Sequence, residues 1–392
     1  MTPPMHPPRT TILAHALHHG SALVIGGGLQ GTLTVYQLHK AAKEEGLPLQ
    51  IYWAFDDQRK SASANAGAYH AVFASTDSRA GLWAERSWEI GPAIFADLGV
   101  DHLVHDIPTL YVSNLKTLRL PPGLPSEPKI VDPATFGLEQ SYFQAALVEA
   151  GRVFSPRELL PAMTRAVRAL PGVITSENKH FQDVEDIRSF CEELEISTAF
   201  VCAGAGVSRL LNHVEPEVMG SLGVLIHLKM REAFGFHNSM VVMDEDDDGA
   251  LTYSIPAPAT GTIGVGGTVD KVFEYPYSSG APDVEDHRQQ KAEIARDAKL
   301  EFEGIRKRAI SLFPRLEEAL RFVGYEDSAT FALRPHASGV ILRVLPSDLT
   351  GEVAVAEISG LGGSGYTIAP AVTEDALKLE VPQRATETEA AI

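Results

Sequence analysis

The residues best suited to chemistry near the start of this chain are three glycines and an acid. Gly26, Gly28 and Gly31 have the spacing G-x-G-x-x-G. With that spacing a strand turns tightly into a helix, and the backbone can approach a pyrophosphate at the helix's positive end. Asp56, with Asp57 beside it, closes the next apolar run and is placed to accept hydrogen bonds from an adenosine ribose. Asp56 stands 25 positions after Gly31, a long interval that extra helix over 40–46 would absorb. The fingerprint points to a dinucleotide and by itself leaves FAD and NAD both open.

Other constellations fail as chemistry. Asp244-x-Asp246-x-Asp248-Gly249 begins like a calcium loop, but its twelfth position is Ile255 rather than Glu. A solvated turn between two strands is expected there. His15, His18 and His19 share helical spacing without a nearby carboxylate, so no metal site is expected. Cys191 and Cys202 make neither a CxxC motif nor a disulfide framework, and Cys202, ending the apolar run 199–202, is expected to be buried and inert. The opening residues lack a cationic stretch followed by an apolar one, the pattern of a secretory leader. Both observations lead to a reduced, cytoplasmic setting as the expectation.

These residues need elements to position them. The run 21–25, a helix over 32–43 ended by Gly46-Leu47-Pro48, and a strand over 50–55 make a βαβ unit. Helices are expected over 80–98, 140–150 and 156–169, then a strand over 197–202 with a Gly204-x-Gly206 turn. Between 224 and 269 the pattern changes to short strands separated by polar turns, as in an antiparallel sheet. A long charged amphipathic helix follows over 285–312. A last strand over 352–358 runs into glycines 360, 362, 363 and 365 and a final helix. The first eleven residues, with four prolines, and the last dozen are expected to be loose.

With 392 residues, 44% of them hydrophobic, the chain has material for two packed domains, and no apolar run is long enough to span a membrane. Its net charge of −18 excludes nucleic acid as a partner, since that affinity rests on cations.

Four later segments decide between the cofactors. Ser61-Ala62-Ser63-Ala64-Asn65-Ala66-Gly67 follows the ribose acid, and Val201-Cys202-Ala203-Gly204 ends a second apolar strand. Tyr253-Ser254-Ile255-Pro256 precedes Gly261 to Thr268, and Leu333-Arg334-Pro335 precedes Gly360-Leu361-Gly362-Gly363-Ser364-Gly365-Tyr366-Thr367-Ile368-Ala369-Pro370. In this order, over about 21–375, the chain resembles the FAD-dependent D-amino-acid oxidase/glycine oxidase (DAO) family. The resemblance implies an α/β protein: a discontinuous Rossmann-like FAD-binding domain (20–105, 140–215 and 325–385) and an inserted, mostly antiparallel substrate domain (106–139 and 216–324). It implies non-covalent FAD, with Gly26, Gly28, Gly31 and Asp56 or Asp57 at the ADP half. Ser61, Ser63, Asn65 and Gly67 would pass the pyrophosphate and flavin ring. Ala203 and Gly204 would join them, as would Gly362, Gly363, Ser364, Gly365, Tyr366 and Thr367 at the ring and ribityl chain.

In amino-acid oxidases of this family the arginine of the R-P motif pairs with the substrate carboxylate, a role that falls here to Arg334. A planar guanidinium suits it, making two parallel bonds and never deprotonating; the alternative is a structural arginine. Tyr253 would line the pocket or serve as an ordinary core tyrosine. Ala332 replaces the family's glycine two residues before the arginine, and Leu361 and Ser364 replace loop histidines. No cysteine follows Arg334, which excludes a thioether-linked flavin. His70 lies where some relatives place a histidine near the ring, and its surroundings are similar to those of 2-hydroxyglutarate-oxidising relatives. The expected function is oxidation of a C–N bond in an amino acid or secondary amine, with hydride passing to the flavin and oxygen or a quinone taking the electrons. The alternatives are a 2-hydroxy-acid oxidase or dehydrogenase using His70 as base, and a flavoprotein with a binding or regulatory role.

Overall fold

The computed structural model describes residues 10–72, 75, 77–113, 118–136, 138, 144–211, 218–238, 240–245, 251–268, 272–273 and 285–382. The expected loose N-terminus (up to Arg9), the chain end beyond 382 and the acidic turn 246–250 fall outside these residues. In chain order the strands are Ser21–Ile25 (β1), Gln50–Phe55 (β2), Val104–Ser113 (β3), Lys129–Val131 (β4), Gln144–Phe154 (β5), Val173–Glu177 (β6), Thr198–Val201 (β7), Met219–Lys229 (β8), Val241–Glu245 (β9), Leu251–Ala257 (β10), Thr262–Thr268 (β11), Val272–Phe273 (β12), Ala329–His336 (β13), Ile341–Val344 (β14) and Ala354–Ser359 (β15).

Among the described residues these strands make two sheets. The first has the order β14-β15-β7-β1-β2-β6 and is parallel except for β14. Its strands are short apolar runs buried on both faces, as a parallel sheet covered by helices requires. The helices Leu29–Glu45 (α1), Ala80–Asp97 (α2) and Gly365–Ala376 (α3) form the core of one face with Val24, Trp53 and Phe200. α1 runs to Glu45, two residues beyond the expected end, and Gly46 caps it at φ 66°. That extra length accounts for the long interval to Asp56. All five parallel strands end at the same edge, so Gly26, Asp56, Cys202 and Gly360 come together from four distant parts of the chain.

The second sheet has nine strands, in the order β12-β8-β11-β10-β9-β3-β5-β4, with β13 also paired to β8. The helix Glu285–Leu312 covers one face through Ile294, Ala298, Phe302 and Ile305. The other face, carrying Leu225, Met243, Tyr253 and Ile255, turns toward the first sheet.

Two segments differ from the sequence-based division. Residues 144–150, expected within a helix over 140–150 in the cofactor half, belong to β5 (Gln144–Phe154), which pairs along its length with β3. The run Gln144-Ala145-Ala146-Leu147-Val148-Glu149-Ala150 has ample helix propensity, and long-range ladder pairing overrides it. The strand that carries Arg334, β13, lies in the second sheet rather than with the cofactor-half strands. His15, His18 and His19, whose spacing is helical, sit on a capped helix, Ile12–His19, where His15 Nδ1 is 2.9 Å from Thr198 Oγ1. No cluster able to hold a metal ion occurs among the described residues.

Candidate active site

The edge where the parallel strands end opens into a cavity of about 760 Å³ that continues to the inner face of the second sheet. A crevice outside the carboxyl ends of a parallel sheet is where this architecture binds ligands. The three fingerprint glycines each have a distinct reason to be there. Gly26 has φ 125°, and a Cβ on it would lie 2.3 Å from the Cys202 carbonyl oxygen. Trp53 Nε1 donates to the Gly26 carbonyl (2.9 Å), which fixes the turn. A Cβ on Gly31 would lie 2.0 Å from the Gly26 carbonyl oxygen, so this glycine sets the packing of helix on strand rather than lining the cavity. Gly28 does line it, at the start of α1, where Ser63 Oγ accepts from the Leu29 N–H at 3.1 Å.

Asp56 and Asp57 both line the cavity. Asp57 is committed elsewhere, since both its oxygens accept from Arg59 (2.9 and 3.0 Å). Asp56 accepts from the adjacent backbone N–H and lies 4.0 Å from His180 Nε2, which leaves it the better ribose acceptor. Ser61, Ser63, Asn65 and Gly67 line the cavity as a group, Asn65 being held by its side-chain amide on the Arg59 and Ser61 carbonyls. Ala203 and Gly204 line it from the end of β7, and Gly362, Gly363, Gly365 and Tyr366 from the start of α3.

A Cβ on Gly204 or on Gly365 would meet no protein atom within 4 Å, so both backbones face open cavity. With the fingerprint turn and a free ribose acid, this is the cradle an extended FAD needs. Cys202, at the end of β7, has its thiol pushed up to about 12 by burial and is inert.

Besides Gly31, three of the expected site residues lie off the cavity. Thr367 is a staple: its hydroxyl bonds the Tyr69 and Ala71 carbonyls (3.2 and 2.9 Å), pinning α3 to the 67–71 segment. Ser364 is buried beneath the loop. His70 is a correction to its expected place beside the ring. Ala68, Tyr69 and Ala71 line the cavity, whereas His70 does not. Its Nε2–H donates to the Ala84 carbonyl (3.1 Å), and its ring packs edge-on to Trp88. Burial, assisted by Arg152, brings its pKa down to about 4, so it stays neutral.

The other end of the cavity joins Arg334 and Tyr253. Arg334 lies over Gly223: a Cβ on that glycine would be 2.5 Å from Nε and 2.6 Å from Nη2. Tyr253 lies over Gly266 in the same way, with its ring atoms 2.4–2.5 Å from the position of an added Cβ. The two side chains sense each other, because burial raises the Tyr253 phenol and the Arg334 charge offsets part of that rise. Pairing across the strands puts Leu225, Gly266, Tyr253 and Met243 in one row. Sequence reasoning did not single out Gly223, Leu225, Met243, Leu251, Ile255 or the 179–182 segment, all of which line the cavity. The usable signal was glycine inside strands, at 223, 264 and 266, which marks a close approach.

The sequence matches the FAD dependent oxidoreductase (DAO) family over residues 21–376. The chain belongs to that family. It is an FAD-dependent oxidoreductase, as the cradle indicates. No curated protein matches its sequence. Its fold is similar to the glycine oxidase of Geobacillus kaustophilus (TM-score 0.62, 13% identity, 93% of this chain and 99% of that one). It is also similar to iminodiacetate oxidase from Chelativorans sp. (0.58, 14%, 94% and 98%). A third similar structure is the L-alpha-glycerophosphate oxidase of Mycoplasma pneumoniae with FAD bound (0.57, 13%, 93% and 96%). Among the described residues of this family member, no helix is long and apolar enough to cross a membrane.

Proposed function

We propose that this enzyme oxidises a C–N bond in an amino acid or secondary amine that carries a carboxylate. The observation that carries the reading is Arg334: it lines the cavity, and its side chain has no hydrogen bond or ion pair to any described residue. Other arginines that reach inward are matched, Arg152 to Asp106 at 2.7 Å and Arg343 to Glu357 at 2.6 Å. A half-buried guanidinium held ready beside a tyrosine hydroxyl suits a bidentate partner from outside. The same two-sheet fold serves proteins named for oxidation of glycine and of iminodiacetate, which supports an amine substrate.

In this reading Gly26, Gly28, Asp56, the 61–67 segment, Gly204 and the 362–366 turn hold FAD, and the first sheet with its helices is the cofactor domain. Bound FAD supplies a two-electron acceptor beside the substrate carbon. Arg334 and Tyr253 orient that carbon, and the start of α3 offers its positive end to negative charge near Gly365. The amine must bind neutral, since its lone pair forms the C=N bond as the C–H bond breaks; water then hydrolyses the released imine. The hydroxy-acid alternative depended on His70 as base, and His70 faces away from the cavity. Oxygen or a quinone takes the electrons from the reduced enzyme, in a reducing compartment that suits its two free, buried thiols.

The test is an anaerobic titration of the yellow holoenzyme with amino acids, N-methyl amino acids and 2-hydroxy acids, following the visible flavin band. Bleaching by an amine supports the proposal. Bleaching by hydroxy acids alone overturns it.

A further inference from the structure

The chemistry of the cavity beyond Arg334 limits what else a substrate can carry. Along the inner face of the second sheet the lining side chains of β8, β9 and β10 are Leu225, Met243, Leu251 and Ile255, with Tyr253 giving a hydroxyl. Edge strand β13 adds Ala332 and Thr330, which pair with Gly223 and Leu225 on this face, the Thr330 hydroxyl being 2.8 Å from His227 Nε2. Apart from Arg334, none of the described residues that line this face carries a charge. Glycines 223, 264 and 266 lower the floor, so Arg334, Leu225 and Tyr253 lie down into it and room remains above them. The face lies across neighbouring strands: Leu225, Gly266, Tyr253 and Met243 are directly paired, and Ile255 and Leu251 lie two residues to either side of Tyr253 on β10.

We infer that the substrate is a monocarboxylate whose remaining part, several carbons long, is apolar and lies on this face. The inference rests on the carboxylate reading of Arg334 given above. A second carboxylate or a distal ammonium would be buried against leucine, methionine and isoleucine with no partner, which is costly. An aliphatic chain or ring would instead gain by leaving water.

The test uses ligand binding to the oxidised holoenzyme, measured by calorimetry, with four acids: acetate, hexanoate, adipate and 6-aminohexanoate. At about fourfold per buried methylene, hexanoate is expected to bind on the order of a hundredfold more tightly than acetate. Its binding should carry a negative heat-capacity change, the mark of apolar burial. Adipate and 6-aminohexanoate, of similar length but with a charged far end, are expected to lose most of that gain. The variant Leu251→Lys should shift preference from hexanoate toward adipate; Met243→Lys is the second variant if the first does not fold. Hexanoate binding no tighter than acetate, or adipate or 6-aminohexanoate matching hexanoate, overturns the inference while leaving the role of Arg334 standing. If the acids bind Arg334→Leu as they bind the wild type, or do not bind the wild type at all, the carboxylate reading falls and this inference falls with it.

Discussion

Adding one methyl group at Gly223 tests whether Arg334 is held where a substrate needs it. The backbone at Gly223 has no left-handed φ, so alanine costs no strain there and β8 keeps its pairing. The new Cβ would lie 2.5 Å from Arg334 Nε, 2.6 Å from Nη2 and 2.8 Å from Cζ. Ordinary contact is about 3.5 Å, so the guanidinium must lift by about 1 Å. A displacement of that size removes one of two charge-assisted bonds to a carboxylate, about 1.5–3 kcal/mol, or roughly 10- to 150-fold in kcat/KM. Gly220→Ala is the control, because Gly220 lies on the same strand but off the cavity and its Cβ would meet the Leu333 side chain at 3.2 Å. The assay is anaerobic stopped-flow reduction of the enzyme-bound flavin over a range of amine concentrations. A Gly223→Ala enzyme that is folded, yellow and unchanged in kcat/KM refutes the assignment of Arg334 to the substrate.

Three further outcomes are expected. Gly365→Val keeps a helical backbone (φ −51°) and places its side chain in open cavity, so it should fold with the wild-type circular dichroism yet purify without yellow colour. His70→Leu should leave flavin reduction by the substrate nearly unchanged and lower the thermal midpoint, since the ring packs against Trp88 and not the cavity; a large loss of reduction rate would restore it as a base. Burial depresses His70, His227 and His237 to about 4. A depressed histidine takes up a proton on unfolding, so its contribution to stability is present above the unfolded pKa near 6.5 and is lost as pH falls toward 4. Denaturant midpoints should therefore fall between pH 6.5 and 4, and the fall should be shallower in His237→Gln.

What the sequence by itself determined is the local part of the site. Gly26, Gly28, Gly31 and Asp56 were legible because a tight turn, a helix start and the acid after a strand are written in contiguous residues. Gly26, with φ 125°, and Gly31, packed on the Gly26 carbonyl, hold positions whose backbone clearances only glycine satisfies. Residues 144–154 show where local reading stops: an alanine-rich run suited to a helix is a strand because β3 and β4 supply its hydrogen bonds from elsewhere in the chain. His70 shows the same limit at one residue. The segment was identified, but which of Tyr69 and His70 faces the cavity depends on its pairing with the end of β5, where the His70 N–H bonds the Arg152 carbonyl. The substrate end was decided by tertiary structure alone. Leu225, Gly266, Tyr253 and Met243 come from four strands, and only inter-strand register turns them into one face beneath Arg334.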